Sequence, residues 1–470
     1  MKYNKIDENI KKQIEKVVQG RVYSGNEINK DFFHDEMPIY GEGKPEIVVD
    51  VNTTNEVSEV VKICYENNIP IVARGAGTGL TGASVAIHGG VIINMATFNN
   101  ILEYDEQNLL VTVEPGVLLN QLQTESEKMG YLYPPDPGEK SATIGGNVST
   151  NAGGMRAVKY STTRAYVREI ELVLPTGEIT TFGSKVSKSS SGYSLLNLII
   201  GSEGTLGIIT KIVLKILPLP KYDISIIIPY EDMEKCLELV PELSINKLEP
   251  QSIEFTESET IEYSEKYTQK FVFPKYVNGV EAKAYLIVRF DGNDEENILK
   301  RAEKASKLAL RNGALEVYVA DNDSRKKDLW TARGAFLEAI EAQAKLLDEC
   351  DVVVPVSEVA NYIKFVNSLK NNYDFKVVSF GHAGDGNLHI YALSNDLEKV
   401  EEFKKQVDDF MNLLYEKALK LGGQISGEHG IGNGKRPYFK KYENEVNLEL
   451  MRSIKKVFDP KMILNPSKIM

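Results

Sequence analysis

The segment between residues 45 and 75 alternates apolar and amphipathic runs in an order that few folds share. The runs "PEIVVDV" and "IPIVARG" are short and apolar, as in buried strands, and the intervening "NEVSEVVKICYENN" has the apolar spacing of an amphipathic helix. The order strand, helix, strand predicts a βαβ unit. Short β-rich runs and a helix predicted over residues 117–129 follow, so we expect an α+β domain.

Size and composition narrow the class of protein. With 470 residues the chain is too long for one compact core and predicts two or three domains. A net charge of -12 argues against nucleic acid or an anionic membrane as the main partner, because phosphate binding needs clustered Lys and Arg. Three widely spaced cysteines offer neither a disulfide framework nor an iron–sulfur site. Without a signal peptide or a run of transmembrane length, the sequence indicates a cytoplasmic protein.

Two segments rich in Gly, Pro, Ser and Asn interrupt the first domain. "LYPPDPGEKSATIGGNVSTNAGG" (132–154) is predicted to lack regular structure, and "GYSLLNLIIGSEGTLGIIT" (192–210) is a second long loop. Long loops inside a compact domain are usually functional. The prolines between residues 218 and 220 indicate the exit from this domain.

Beyond residue 220, β-rich runs alternate with amphipathic helical segments, which predicts an antiparallel sheet with helices on one face. One long helix is expected from Ser324 to about Lys345. "KVVSF" and "HIYAL" flank "GHAGDGNLH", which predicts a hairpin that places His382 and His389 at the same end of two adjacent strands. A further helix is expected from the apolar spacing between residues 400 and 414.

The histidines of the chain are few and concentrated. Of five, two lie in "GHAGDGNLH", and His429 lies beside Glu428 in "SGEHGIG". Imidazole nitrogens and a carboxylate suit zinc and neighbouring divalent metals, so His382, His389 and Glu428 are a candidate ligand set. Asp385 and Asn387 are candidates to support these ligands or to contact a substrate. Spacing alone leaves open the alternative that the histidines only form hydrogen bonds within a glycine-rich turn.

The loop "ARGAGTGLTGAS" (73–84) follows a predicted strand and offers several backbone N–H groups with little side-chain obstruction, as an anion-binding nest does. A plain glycine-rich turn is the alternative. The GxGxxG spacing is imperfect for a nicotinamide-binding Rossmann fold, and no helix clearly opens after it. A flavin site of another fold fits better.

Six motifs in order identify a family. "ARGAGTGLTGAS", "PPDPGEKSATIGGNVSTNAGG", "IGSEGTLGIIT", "GHAGDGNLH", "SGEHGIG" and "NPSKI" together resemble the FAD-linked D-2-hydroxy acid dehydrogenases of the vanillyl-alcohol-oxidase superfamily. The resemblance runs from about residue 45 to 470. It implies a PCMH-type FAD-binding domain of two subdomains (36–220) after an N-terminal helical segment (1–35). It also implies a cap domain over the substrate (221–425) and a C-terminal segment that returns to the flavin (426–470).

The resemblance also implies roles for individual residues. Non-covalent FAD would be held at positions that match the family's flavin motifs, namely Arg74, Gly75, Ala76, Gly77, Thr78, Gly79, Pro137, Gly138, Ser141, Ile144, Gly145, Asn147, Asn151, Gly153, Gly154, Glu203, Gly204, Gly207, Ile209 and Asn465. One divalent metal, zinc, iron or manganese, would be held by His382, His389 and Glu428. The catalytic residues would be His429 as the base, Arg333 of "LWTARGAF" as a two-pronged partner of the substrate carboxylate, and Asn387.

Departures from the family pattern refine these expectations. Ser161 and Ala165 stand where many members have Gly and Asp, and Glu349 stands where members specific for dicarboxylates are basic. A carboxylate at 349 would repel a second substrate carboxylate, so D-lactate is the preferred substrate and 2-hydroxyglutarate is disfavoured. Electrons would pass to an external acceptor, with electron-transfer flavoprotein expected. An iron–sulfur partner subunit and a membrane quinone are the alternative acceptors. The alternative functions are glycolate oxidase-type or D-2-hydroxyglutarate dehydrogenase activity, an oxygen-using oxidase, and a non-catalytic flavin subunit.

Overall fold

The computed structural model describes residues 2–470. Within them the chain forms α-helices α1 (Glu8–Val17), α2 (Thr54–Asn67), α3 (Leu119–Lys128), α4 (Ile144–Thr150), α5 (Ala157–Tyr160), α6 (Leu195–Ile199), α7 (Met233–Ile245), α8 (Ser258–Thr268), α9 (Glu295–Arg311), α10 (Asp323–Gly334), α11 (Phe336–Glu341), α12 (Val359–Leu369), α13 (Val400–Lys420), α14 (Arg436–Tyr442) and α15 (Glu445–Phe458). None of these helices is long and apolar enough to cross a membrane.

The strands of the same residues are β1 (Val22–Ser24), β2 (Ile47–Asp50), β3 (Ile71–Arg74), β4 (Val91–Asn94), β5 (Ile101–Asp105), β6 (Leu110–Val113), β7 (Tyr131–Leu132), β8 (Val167–Val173), β9 (Ile179–Gly183), β10 (Ile208–Lys215), β11 (Leu217–Pro218), β12 (Tyr222–Tyr230), β13 (Ser252–Glu257), β14 (Tyr276–Val277), β15 (Val280–Glu281), β16 (Ala284–Gly292), β17 (Tyr318–Ala320), β18 (Leu346–Val353), β19 (Lys376–His382) and β20 (Asn387–Ser394).

The chain divides into two compact units, both discontinuous in sequence. The first unit contains the residues up to Ala152, then Thr162–Leu219 and Glu428–Met470. The second unit contains Gly153–Ser161 and Pro220–Gly427. The nine residues Gly153–Ser161, which lie within the first predicted domain, therefore belong to the second unit.

The first unit contains two larger sheets. In the four-stranded sheet, of order β1-β2-β4-β3, strands β2 and β3 both run parallel to β4, which lies between them. The predicted βαβ unit is confirmed, and its helix α2 packs Val57 and Val60 into the core beside the strands. Thr53 caps this helix by accepting a hydrogen bond from the N–H of Glu56. The second sheet, of order β5-β6-β10-β8-β9, is antiparallel.

The segment 132–154 departs from the sequence prediction, because part of it is helical. The Thr143 hydroxyl accepts a hydrogen bond from the N–H of Gly146 and so begins α4, and Asn151 ends the helix in a left-handed conformation. Gly145 permits close packing, since a Cβ there would lie 2.6 Å from the Pro115 Cβ. The glycines that appeared to oppose a helix are required by its packing. The helix predicted over 117–129 is confirmed as α3.

The second unit is built on one antiparallel sheet of seven strands, in the order β17-β12-β16-β13-β19-β20-β18. The predicted α+β class is confirmed, as are the β19–β20 hairpin and the helix predicted over residues 400–414, which is α13.

The prediction of one long helix from Ser324 to about Lys345 is wrong in its extent. The helix ends at Gly334, a poor helix former, and a short second helix begins at Phe336.

Candidate active site

In the first unit, the glycine-rich loop after β3 is supported by a buried arginine. Arg74 Nη2 donates a 2.7 Å hydrogen bond to the Asp31 carbonyl, and Nη1 donates to Ser84 Oγ at 3.2 Å. Gly77 has a φ of +80°, and a Cβ there would lie 2.0 Å from Arg74 Nη2. Glycine is therefore required at this position. Arg74 supports the loop from within, whereas Ala76 is exposed.

Two of the predicted flavin segments adjoin each other in this unit. A Cβ at Gly75 of the glycine-rich loop would lie 2.1 Å from the Oγ1 of Thr143, which caps α4. The remaining predicted flavin positions lie before, in and after α4 (Pro137, Gly138, Ser141, Ile144, Gly145, Asn147, Asn151), beside and in β10 (Glu203, Gly204, Gly207, Ile209) and in the C-terminal tail (Asn465). Gly153 and Gly154 belong to the second unit.

The C-terminal tail contacts two of the flavin motifs. Asn465 Nδ2 donates hydrogen bonds of 2.9 Å to the Ala83 carbonyl and 2.7 Å to the Glu203 carbonyl. The Glu203 carboxylate accepts hydrogen bonds from the N–H groups of Ile431 and Gly432, both at 2.7 Å. Burial raises the pKa of Glu203, and these two hydrogen bonds oppose that rise without cancelling it.

Two charged residues that the sequence analysis missed hold the Gly82 peptide. Asp35 Oδ2 accepts a hydrogen bond from its N–H, and Lys468 Nζ donates a 2.6 Å hydrogen bond to its carbonyl oxygen. Burial raises the pKa of Asp35 to about 6 and lowers the pKa of Lys468 to about 8. Lys468 lies in the "NPSKI" motif, which was a usable signal, whereas Asp35 lies outside every quoted motif.

The first unit fits a polar ligand of the dinucleotide type. Within residues 2–470, the buried Nδ2 of Asn147 and Oδ1 of Asn465 have no hydrogen-bond partner. Buried polar atoms are normally paired, so one donor and one acceptor await a partner beside the glycine-rich loops. Both asparagines are among the positions predicted to hold FAD.

In the second unit, both predicted histidines lie near the turn of the β19–β20 hairpin. Phe380 pairs with His389 and His382 pairs with Asn387, and the two imidazole centroids are 5.4 Å apart. Gly386 in the turn has a φ of +85°, and a Cβ there would lie 1.9 Å from the Val354 carbonyl oxygen. Gly386 allows the turn to pack against Val354, the residue after β18. The tight turn keeps the imidazole rings of His382 and His389 close together.

A buried carboxylate that the sequence analysis missed, Glu254, contacts both His382 and Arg333. Nδ1 of His382 lies 2.9 Å from Glu254 Oε2 and 3.1 Å from Oε1. Arg333 donates to Oε2 from Nε and from Nη2. Burial alone would raise the pKa of Glu254, but the neighbouring His382 and Arg333 bring it below its ordinary value. Arg333 was predicted to bind a substrate carboxylate, and its Nε and Nη2 contact Glu254 instead.

His389 faces two further carboxylates of β18. Its Nδ1 lies 3.4 Å from Glu349 Oε1 and 3.8 Å from Asp351 Oδ1, and all three side chains are buried. Asp351, also missed from the sequence, accepts hydrogen bonds from Asn387 Nδ2 at 2.7 Å and from the Gly427 N–H at 3.0 Å. Asp351 therefore links the predicted catalytic asparagine to the residue that precedes Glu428.

Glu428 and His429 begin the last segment of the first unit. His429 Nε2 lies 3.7 Å from Glu428 Oε1, and the His429 carbonyl oxygen accepts a 3.4 Å hydrogen bond from Thr81 Oγ1. A Cβ at Gly430 would lie 2.8 Å from Glu203 Oε1. The backbone of the "SGEHGIG" motif is thus tied to the glycine-rich loop and to Glu203, both predicted to hold the flavin.

The donor chemistry of the second unit fits a divalent metal. Each of His382 and His389 has Nδ1 beside a buried carboxylate. Histidines that bind metals through Nε2 commonly donate their other N–H to such a carboxylate, which fixes the tautomer and the ring orientation. His382 therefore has the environment of such a metal ligand, and His389 has a carboxylate at the longer distance of 3.4 Å from its Nδ1.

Family models match both halves of the chain. A model described as "FAD binding domain" matches residues 45–183, and one described as "FAD linked oxidases, C-terminal domain" matches residues 219–469. The chain belongs to the FAD-linked oxidase family. The predicted family and FAD as cofactor are confirmed by these matches, and this FAD-linked oxidase is an oxidoreductase.

Individual relatives agree with this assignment over nearly the whole length. The chain is 55% identical to a D-lactate dehydrogenase of Anaerostipes hadrus, over 99% of its own length and 98% of the relative. It is 36% identical to the glycolate oxidase subunit GlcD of Bacillus subtilis, over 93% of this chain and 91% of the relative. Among solved structures, p-cresol methylhydroxylase matches with a TM-score of 0.78 at 18% identity, covering 98% of this chain and 96% of that one, which confirms the predicted fold.

Proposed function

We propose that this FAD-linked oxidase oxidises a D-2-hydroxy acid, with D-lactate converted to pyruvate. The observation that carries the proposal is the 55% identity, along the full chain, to a protein named D-lactate dehydrogenase. The buried His382 and His389, each backed by a carboxylate, support a catalytic rather than a structural role for the hairpin. A non-catalytic flavin subunit would have no use for such a pair.

FAD would be held by the loops of the first unit, with Asn147 and Asn465 supplying the buried donor and acceptor described above. Bound flavin would supply the hydride acceptor. Glycines 75 and 77 keep the loop surface free of side chains, and Asp35 and Lys468 hold the Gly82 peptide from both sides. The FAD is proposed to be non-covalent, because this loop contains no histidine to which it could be linked.

A divalent metal would be held by His382, His389 and Glu428. Such a metal would act as a Lewis acid that lowers the pKa of the substrate hydroxyl. Gly427 is fixed through its N–H by Asp351, and Glu428 is the next residue, whose Cα is about 3.8 Å along the chain. Asp351 thus restrains the third ligand while Asn387, bonded to the same carboxylate, is restrained beside His382.

Proton transfer is assigned to His429, whose imidazole would accept the hydroxyl proton of the substrate. Arg333 would bind the substrate carboxylate through Nη1, since Glu254 contacts only Nε and Nη2. Arg333 is not an unpaired arginine, because the buried Glu254 carboxylate already balances its positive charge.

Glu349 supports a small monocarboxylate as substrate. Its carboxylate is buried and lies 3.4 Å from His389 Nδ1, close to a proposed metal ligand. A second carboxylate on the substrate would meet this negative charge in a poorly solvated place, where like-charge repulsion is strong. This repulsion disfavours 2-hydroxyglutarate as the main substrate.

The electron acceptor is proposed to be an external protein, with electron-transfer flavoprotein preferred, because the sequence motifs include no iron–sulfur or nicotinamide site. Rapid reoxidation of the reduced flavin by air, with hydrogen peroxide formed in equal amount, would favour an oxygen-using oxidase instead.

The substrate assignment is tested by mixing FAD-loaded protein anaerobically with D-lactate, L-lactate, glycolate or D-2-hydroxyglutarate and following the visible absorption of the flavin. The proposal predicts the fastest bleaching with D-lactate. In Glu349→Gln, the rate with D-2-hydroxyglutarate relative to D-lactate should rise about tenfold or more. Faster bleaching of the wild type by glycolate than by D-lactate would contradict the choice of substrate.

A further inference from the structure

The buried charges around Glu254 in the second unit carry one further inference. We propose that Glu254 is a positioning residue that fixes His382 as its Nδ1–H tautomer, so that Nε2 presents a lone pair to the metal. The inference rests on the metal site of the proposed function. It adds a residue, on a different strand, that lies outside every motif of the sequence.

Strand register places Glu254 next to His382. Strands β13 and β19 are antiparallel neighbours in which Phe255 pairs with Gly381, so the preceding position of β13 faces the following position of β19. The third member, Arg333, comes from α10. Glu254 is fully buried, and the residues His382 and Arg333 are only 5% and 4% exposed, so solvent does not compete for these contacts.

The donors and acceptors of the network determine the position of the His382 proton. A carboxylate that pairs with a guanidinium is ionised and can only accept, and a guanidinium can only donate. With Nδ1 at 2.9 Å and 3.1 Å from the two Glu254 oxygens, an unprotonated Nδ1 would place its lone pair against two anionic oxygens. Nδ1 must therefore carry the proton, and in the neutral ring Nε2 then carries the lone pair that a metal requires.

Arg333 gives a second reason for the carboxylate, because it could donate to the same imidazole nitrogen. Its Nη2 lies 3.4 Å from His382 Nδ1, and both of its contacts with Glu254 hold it in that place. Without the Glu254 charge, Nη2 would be free to donate to Nδ1, which would move the imidazole proton to Nε2. The arginine that is proposed to bind the substrate would then block a metal ligand. Glu254 prevents this by accepting from both groups at once.

The test measures the tautomer and the metal affinity directly. The chain has only five histidines, so imidazole ¹⁵N resonances of protein labelled at histidine can be assigned with single His variants. In metal-free, FAD-loaded wild type we expect His382 as the Nδ1–H form. In Glu254→Gln we expect a shift towards Nε2–H and a zinc dissociation constant, from chelator competition, that rises about 10- to 100-fold.

Glu257 offers a matched control. It lies on the same strand, is buried, and pairs with Lys370 at 2.6 Å and with Ser379, but contacts no histidine. Glu257→Gln should therefore leave the His382 tautomer and the zinc dissociation constant unchanged. A general effect of removing a buried carboxylate from β13 would change both variants equally and would overturn the inference.

A second pair of variants covers the case in which Glu254→Gln fails to fold because Arg333 is left unbalanced. Arg333→Gln and the double variant Glu254→Gln/Arg333→Gln both lack the arginine and differ only in the carboxylate. We expect Arg333→Gln to retain the Nδ1–H form and near wild-type zinc affinity, and the double variant to lose both. Equal zinc affinity in these two proteins would overturn the inference.

Failure of the inference and failure of the proposed function give different results. If wild type binds zinc and is reduced by D-lactate but shows His382 as Nε2–H, only the role of Glu254 is wrong. If wild type binds no divalent metal, the metal part of the proposed function is wrong, and the inference is overturned with it.

Discussion

Asp351 Oδ1 accepts a 2.7 Å hydrogen bond from Asn387 Nδ2, and the other oxygen of Asp351 accepts from the N–H of Gly427. One fully buried carboxylate on β18 thus fixes a residue of the histidine hairpin and the residue before Glu428. The catalytic assignment depends on this link, because the candidate ligands come from sequence segments about forty residues apart.

Replacing Asp351 should therefore affect stability and metal binding together. Asp351→Asn removes the charge and one set of acceptor lone pairs, and we expect the free energy of unfolding to fall by about 1–3 kcal/mol. Zinc affinity should also fall, because Gly427 is less firmly held. Urea unfolding and chelator competition measure the two effects. Asp348→Asn, on the same strand, serves as the control and should bind zinc normally.

The hairpin turn should tolerate no side chain at Gly386. Its φ of +85° costs an L-residue about 1–2 kcal/mol, and a Cβ would collide with the Val354 carbonyl oxygen in addition. Gly279 has a φ of +82°, and a Cβ there would meet nothing within 4 Å, so Gly279→Ala isolates the dihedral cost. Gly386→Ala should lower the unfolding free energy more than Gly279→Ala does. Equal losses would show that the turn has room to adjust.

His429 should contribute to the rate and not to metal binding. A positioned base contributes typically 10²–10⁴-fold, so His429→Gln should slow anaerobic flavin reduction by D-lactate by about that factor. The metal content, measured by elemental analysis, should remain that of the wild type. His88→Gln changes an exposed histidine of the same unit and should not alter the rate. A wild-type rate in His429→Gln would remove it as the base.

Asp35 should make stability depend on pH. Burial raises the pKa of Asp35 from 3.8 to about 6 in the folded protein. A raised folded-state pKa favours folding below the unfolded value, and this contribution is lost as the pH rises from about 4 to about 6, by up to roughly 3 kcal/mol. In Asp35→Asn this loss should be absent. Urea unfolding of FAD-free protein at several pH values tests this, and parallel curves for the two proteins would contradict it.

Local sequence patterns predicted individual strands and helices better than they predicted which distant residues contact one another. The β19–β20 hairpin followed from alternating apolar residues around a glycine-rich turn, which are properties of neighbouring residues. Helix α4 was missed because its glycines are explained only by contacts such as Gly145 against Pro115, which lies about thirty residues earlier. The break at Gly334 was visible in the sequence, but the apolar spacing on both sides concealed it.

The candidate site shows the same limit. His382 and His389 could be identified because histidines are rare in this chain and occur in one short stretch. Glu254 and Asp351 could not, because each lies in an ordinary strand sequence and reaches its histidine only through strand pairing. Arg333 was identified, but its buried partner was not, so its assigned role was incomplete.

The most direct test of metal-assisted oxidation is anaerobic flavin reduction by D-lactate in three samples of the FAD-loaded protein: as purified, after removal of metal by a chelator, and after zinc, iron or manganese is restored. If oxidation is metal-assisted, D-lactate should bleach the flavin rapidly in the first sample, fail to bleach it in the second and bleach it again in the third with at least one metal. L-lactate should bleach the flavin in none of the samples. Bleaching by D-lactate that is unchanged in the verified metal-free protein would contradict the account.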